Sequence, residues 1–242
     1  MAIQFTASSS EGLKSAQSAV TAAPFTWSLW FYPDSSSGNM APLTMMPDGH
    51  ANDRYQIKLK TNNEAEYHIR SSGSNENSTT SNTFSDTAWN HVAVIETAAD
   101  DHKIILNGDT GDQGTNTDSK TVSGVDSFTL GYRPKSSPDQ YFDGRLAEVG
   151  IWNVALNAGE LAALADGISC NQIRPSSLKL YTPGVSSTQE LIQPYSWTVA
   201  GSPSIGFTDT PIYRRPRVRN ILPAGSDMII SDLYRDLSLS IH

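Results

Sequence analysis

Residues 25–33, FTWSLWFYP, alternate with a period of two. In an extended strand this puts Phe25, Trp27, Leu29 and Phe31 on one side and Thr26, Ser28, Trp30 and Tyr32 on the other, so both faces are at least partly covered. Strand-like runs of similar length recur along the chain. DRYQIKLK and EAEYHIRSS flank TNNE, whose Asn62 and Asn63 suit the positive φ of a tight hairpin. WNHVAVIET and HKIILNGDT follow, and Asn107-Gly108 is the strongest short-range hairpin signal in the chain. SFTLGYRP, YFDGRLAEVGIWN, SLKLYTP and YSWTVAG add further strands.

The sequence shows one helix, near residues 158–166. Asn157 is its N-cap, Glu160 completes a capping box, Leu161 and Leu164 form the apolar stripe, and Gly167 stops it. Short strands separated by Gly, Asn, Ser and Pro, with a single helix and no fixed-period repeat, predict an all-β antiparallel sandwich and exclude alternating βαβ units. The polar tracts SSGSNENSTTSNTFSD (71–86) and NGDTGDQGTNTDSKTVSG (107–124) hold few apolar residues and read as loops or a hairpin tip.

Composition narrows the function classes. The 242 residues carry 17 Lys and Arg against 25 Asp and Glu, a net charge of −8. Such a balance disfavours a nucleic-acid surface over the body of the protein, because phosphate binding needs clustered cations. Cys170 is the single cysteine, so no intrachain disulfide forms and a bland, partly buried thiol is expected. No basic start with a long apolar run opens the chain, and no stretch approaches about 18 apolar residues, which argues against a secretory signal or membrane insertion and for a soluble protein.

Residues 210–242 differ in character from the rest. Arg214, Arg215, Arg217 and Arg219 are spaced by Pro216 and Val218, which suits an extended segment, and Ile229, Ile230 and Leu233 lie in an apolar end that must be covered by something. The last 32 residues hold five arginines and three aspartates, leaving 12 cations against 22 anions in the body. The reading is therefore a domain over 1–209 and a basic, apolar arm over 210–242. The arm either neutralises the protein's own acidic face or docks on a partner or another copy.

Four features, in order, resemble the laminin G-like branch of the concanavalin A-like lectin and glucanase superfamily: the strand FTWSLWFYP, the strand opening WNHVAV, the hairpin IILNGD and the run YFDGRLAEVGIWNVALNAGELAALADG. The resemblance covers roughly residues 2–209 and implies a jelly-roll sandwich. It also implies that the last run is a late strand followed by a short helix packed across one end or face through Trp152, Leu156, Leu161 and Leu164.

Hydrolases of the superfamily use carboxylates alternating along one strand, and no strand here supplies them: Glu148 stands alone, and Glu64 and Glu66 flank a turn. Of His50, His68, His91, His102 and His242, no two have metal-ligand spacing or a nucleophile beside them. His91, in WNH, reads as a packed, hydrogen-bonded residue. The expectation is a non-catalytic module that requires no cofactor. Many relatives bind calcium, and Asp139, Gln140 and Asp143 form the best candidate cluster for Ca2+, against the plainer reading as solvated loop acids. For sugar binding, a concave sheet bearing Trp30, Tyr32, Tyr55, Tyr67 or His68 would supply the aromatic platform, although such aromatics usually pack in the protein itself.

The arm and the polar loops are similar to those of domains found among bacteriophage virion proteins. This resemblance implies a decoration, cement or appendage protein on the virion surface, held to capsid or appendage subunits or to symmetry mates through the arm. The alternative is a carbohydrate-binding, lectin-type adhesion module.

Overall fold

A computed structural model describes residues 2–48, 53–110, 113–116, 120–184 and 196–205. Two antiparallel sheets face each other in a jelly-roll sandwich. Sheet A runs β10 (Gln113–Asn116), β9 (Asp101–Leu106), β8 (Asn90–Ala98), β3 (Phe25–Pro33), β12 (Gly144–Trp152), β1 (Ile3–Phe5) and β15 (Ser204–Ile205), with β13 (Leu178–Thr182) also paired to β12. Sheet B runs β14 (Trp197–Ala200), β2 (Gly12–Ser15), β11 (Ser127–Leu130), β4 (Met40–Met46), β5 (Arg54–Leu59), β6 (Glu64–Ser71) and β7 (Ser74–Thr83).

The period-two reading of β3 holds. Phe25, Trp27, Leu29 and Phe31 are fully buried between the sheets, where Phe25 packs edge-on to Tyr55 and Trp27 edge-on to Tyr67. The opposite face of β3 is covered as well, and by the helix. α1 spans Ala158–Ala165 and lays Leu161 and Leu164 on the outer face of sheet A against Ala93, Ile95, Ile105 and Trp152. Its capping box forms as expected, with Glu160 N–H donating to Asn157 Oδ1 at 3.0 Å and Asn157 N–H to Glu160 Oε2 at 2.8 Å. At its end Gly167 N–H bonds Leu164 O and Ile168 N–H bonds Ala163 O, the paired bonds that a left-handed residue after a helix allows.

Four local expectations are corrected. In the β5–β6 turn only Asn63 takes positive φ, since one left-handed residue suffices to reverse the chain there. The tract 71–86 is not a loop: β7 runs ten residues through it, burying Glu76, Ser78 and Thr80 on its inner side. Likewise 113–116 form β10, whose Gly114 approaches Thr79 so closely that a Cβ would lie 2.5 Å from its backbone nitrogen. Through that contact the two sheets meet along one edge. On β7 the buried Glu76 meets His102 of β9 on the other sheet, a polar pairing that composition does not reveal. Cys170 is fully buried rather than partly so, with its thiol donating to Glu148 O at 3.2 Å. Among the described residues no helix is long and apolar enough to cross a membrane.

Candidate functional site: the outer face of sheet B

Among the described residues, α1 and its apolar cluster lie over the outside of sheet A, whereas the outer face of sheet B carries polar side chains that are mostly buried. Alternation directs Tyr55, Ile57, Tyr67 and Ile69 into the core, and therefore directs Arg54, Gln56, Lys58, Glu66, His68 and Arg70 outward. Strand register then aligns the outward residues across the sheet. Thr198, Lys14, Thr129, Thr44, Gln56, His68 and Asn77 are successive cross-strand partners, one from each of the seven strands. Beside this rung Arg54 lies opposite Arg70, and Arg70 opposite Asn75.

Side chains lock one another along β5 and β6. Arg54 Nε donates to Gln56 Oε1 at 2.9 Å, and its Nη2 lies 2.9 Å from His68 Nε2. Because the guanidinium can only donate, His68 Nε2 accepts there and its Nδ1–H faces Glu66 Oε1 at 3.2 Å, fixing the ring's tautomer. Lys58 Nζ reaches the same carboxylate oxygen at 3.3 Å. Burial raises Glu66, but the His68 and Lys58 contacts outweigh it and hold its carboxyl below the usual range. Arg54 is pulled down to about 10, first by burial and then by the neighbouring Arg133 and Arg70.

The segment from Gly131 to Phe142 overhangs this face as a hairpin. It is tied to β4 by Gly131 N–H to Pro42 O and Ala41 N–H to Gln140 O, and closed on itself by an Arg133–Asp139 bridge. Arg133 Nε and Nη2 both bond the Asp139 carboxylate, at 2.6 and 2.5 Å, and Lys135 Nζ joins at 2.7 Å. Tyr132 and Tyr141 stack at 5.7 Å with 15° between their rings. Beside them Lys14, Asp48, Tyr132, Pro134, Lys135, Ser136 and Pro138 line a cavity of about 220 Å³.

The five residues expected to carry sugar do not meet. Trp30 and Tyr32 are on the outside of sheet A. Trp30 Nε1 donates to Leu164 O of the helix at 3.3 Å, and Tyr32 sits between Trp89 and the Arg145 guanidinium. Tyr55 and Tyr67 are core residues at 1% and 0% exposure, stacked on each other, so no sugar can reach their rings. Of the five, His68 alone lies on the outer face of sheet B, where it is 7% exposed.

Nor do Asp139, Gln140 and Asp143 converge. Asp139 is held by Arg133 and Lys135, Gln140 accepts from Gln56 Nε2 at 2.5 Å, and Asp143 Oδ1 accepts from Ala7 N–H at 3.0 Å on the far side. Among the described residues no group of three His, Cys, Asp or Glu is disposed to hold a metal ion. Arg214, Arg215, Arg217, Arg219, Ile229, Ile230 and Leu233 lie outside the described residues.

His91 is buried, with Nε2 2.8 Å from Ser28 Oγ, and burial drives its pKa down to about 3. Glu148, at a register shift in β12, accepts from Ser169 Oγ, Cys170 N–H and the Tyr181 hydroxyl, which ties the segment after the helix to the sheet. The arginines on and beside the outer face of sheet B, Arg54, Arg70 and Arg133, were not among the sequence candidates. Their signal lies in the alternation of RYQIKL against EAEYHIR combined with the register of the β5–β6 hairpin.

Two facing antiparallel sheets, one capped by a helix and the other polar on its outer face, define a jelly-roll sandwich domain. A family model described as concanavalin A-like lectin/glucanases superfamily, Laminin_G_3, matches residues 7–162, and the chain belongs to this family. No curated protein matches it in sequence. Similar solved structures include a candidate carbohydrate-binding protein from Bacteroides ovatus, 18% identical with a TM-score of 0.61, covering 88% of this chain and 61% of that one. The CBM40 of Ruminococcus gnavus IT-sialidase bound to alpha2,3 sialyllactose is 15% identical with a TM-score of 0.56, covering 68% of this chain and 96% of that one. A heptameric SAP-like pentraxin from Limulus polyphemus is 15% identical with a TM-score of 0.53, covering 83% of this chain and 94% of that one. At these identities the likeness is one of fold.

Proposed function

We propose that this domain is a non-catalytic carbohydrate-binding module whose ligand lies on the outer face of sheet B. The observation that carries the reading is the locked network Arg54–Gln56–His68–Glu66–Lys58 on the outer face of sheet B, over which no helix lies among the described residues. Polar groups held in place by one another lose little freedom on binding, and Tyr141, half-buried and stacked on the buried Tyr132, offers an aromatic surface at the margin for the apolar side of a pyranose. The printed descriptions of two fold neighbours, a sialidase CBM40 with bound sialyllactose and a candidate carbohydrate-binding protein, point the same way.

A glycan array probed with the whole chain tests the reading. Retention of defined glycans is expected, with loss in Tyr141→Ala at an unchanged melting temperature. No retention of any glycan would overturn it. The narrower assignment to a virion surface rests on residues 211–242 and on charge complementarity between them and the acidic body. Its test is truncation at residue 210: a folded protein that no longer joins its partner or its own copies supports the assignment, and assembly that survives truncation removes it.

A further inference from the structure

The overhanging hairpin divides the outer face of sheet B. The Thr129 hydroxyl donates to Tyr132 O at 2.8 Å, the Thr44 hydroxyl reaches the same oxygen at 3.5 Å, and Gln56 Nε2 donates to Gln140 Oε1. Thr129, Thr44 and Gln56 are consecutive members of the rung that crosses the sheet, and each is fully buried. A sugar chain laid along the rung would therefore meet the hairpin at its middle. Lys14 follows Thr129 on the rung and is partly exposed, and there the cavity of about 220 Å³ opens between β2, Asp48 and the hairpin. It is smaller than the roughly 300–1,000 Å³ of pockets that enclose drug-sized ligands, so it has room for one ring and not for a chain.

The lining suits a neutral guest. Its charges are paired, Lys14 Nζ with Asp48 Oδ1 at 2.5 Å and Lys135 Nζ with Asp139 Oδ2 at 2.7 Å, so an ion entering the cavity gains no net attraction. A partly exposed ion pair still sets donors beside acceptors, and neighbouring sugar hydroxyls match it by accepting from the ammonium and donating to the carboxylate. The Tyr132 hydroxyl stays protonated at neutral pH, since burial, then Tyr141 and Asp48, push it up to about 12. Pro134 and Pro138 add apolar surface between these groups. Resting on the carbohydrate reading above, we infer that this cavity is the primary subsite and takes the terminal pyranose of a neutral glycan end-on, with the ring among Tyr132, Pro134 and Pro138 and its hydroxyls on Lys14 and Asp48. The remaining sugars stay outside, so the domain reads the end of a chain and not its length.

Calorimetry with the full chain tests the inference, using the methyl pyranosides of glucose, galactose, mannose, fucose, xylose and N-acetylglucosamine, each beside a neutral trisaccharide that ends in the same sugar. At least one methyl pyranoside is expected to bind within about threefold of its trisaccharide, with an affinity that hardly changes as salt is raised. Lys14→Gln and Asp48→Asn, both at partly exposed side chains, should each weaken that binding about fivefold or more at the parental melting temperature, and Lys103→Gln on sheet A should leave it unchanged. Three results overturn the inference and leave the carbohydrate reading standing: a trisaccharide bound about tenfold or more tightly than its methyl pyranoside, undiminished binding in the folded Lys14→Gln and Asp48→Asn variants, or array retention of a glycan without binding of any of the six pyranosides. Absence of binding across all of these sugars and across a broad array overturns both.

Discussion

The Tyr67 hydroxyl donates to Glu96 Oε2 across 2.6 Å in the interior of the sandwich. Glu96 is 1% exposed, and its pKa is pushed up to about 8, first by burial, against the Tyr67 hydrogen bond, and further by the nearby Glu76. Glu76 is paired in turn with His102 Nε2 at 2.5 Å, and His102 is the cross-strand partner of Glu96. Two buried carboxylates, a histidine and a tyrosine thus hold the edge where β7 of one sheet meets β9 of the other.

A raised carboxyl pKa stabilises the folded state in acid and loses that contribution as pH rises. For Glu96 it is fully present below about 4.5 and gone once pH passes about 8, because the unfolded chain releases its proton earlier. Glu96→Gln keeps an acceptor for Tyr67 and cannot ionise. Relative to the parent, it is expected to gain roughly 1–3 kcal/mol between pH 5 and pH 9 in urea titrations. A difference that does not change with pH would show that Glu96 titrates normally.

His91 works in the opposite direction. Burial lowers its pKa from 6.5 to about 3, so its contribution is present above pH 6.5 and is lost as pH falls towards 3. Replacement by Gln, which can still bond Ser28, should flatten the acid limb of the melting profile over this window. A limb as steep as the parent's would assign acid instability to other groups.

Leu161 and Leu164 fill the space between helix and sheet. Changing either to Ala should cost about 2–4 kcal/mol by chemical denaturation. A near-zero loss at both would mean that the helix is not packed on sheet A.

Gly114 and Gly38 make a matched pair. A methyl at Gly114 meets the Thr79 backbone at 2.5 Å, whereas nothing lies within 4 Å of one at Gly38. Gly114→Ala should destabilise by about 2 kcal/mol or more, and Gly38→Ala should stay within about 0.5 kcal/mol. Equal melts for the two would refute the closure of the sandwich at β7 and β10.

Calcium would have to displace Arg133 and Lys135 to reach Asp139. The melting temperature is therefore expected to be the same with excess calcium and with EDTA, and a rise of several degrees with calcium would reveal a stabilising site.

What was legible in the sequence was local or periodic. Asn157 and Glu160 satisfy each other within one helical turn, so their capping box could be read from spacing alone. The buried row Phe25, Trp27, Leu29 and Phe31 follows from strand geometry with no knowledge of what lies opposite. The same alternation already separates Tyr67 from His68, since neighbours on a strand face opposite ways. Those two could never have shared a sugar platform. The tertiary structure decided what pairing decides. Strand β7 is too polar to announce itself, and it is a strand because its backbone pairs with β6, with Glu76 and Thr79 then meeting His102 of β9 and Gly114 of β10 on the other sheet. Arg54 and Arg70 stand 16 residues apart, and the hairpin register makes them neighbours. Hydrophobic period is a property of one segment, whereas charge opposition and buried polar pairing belong to two, and only the fold chooses the second.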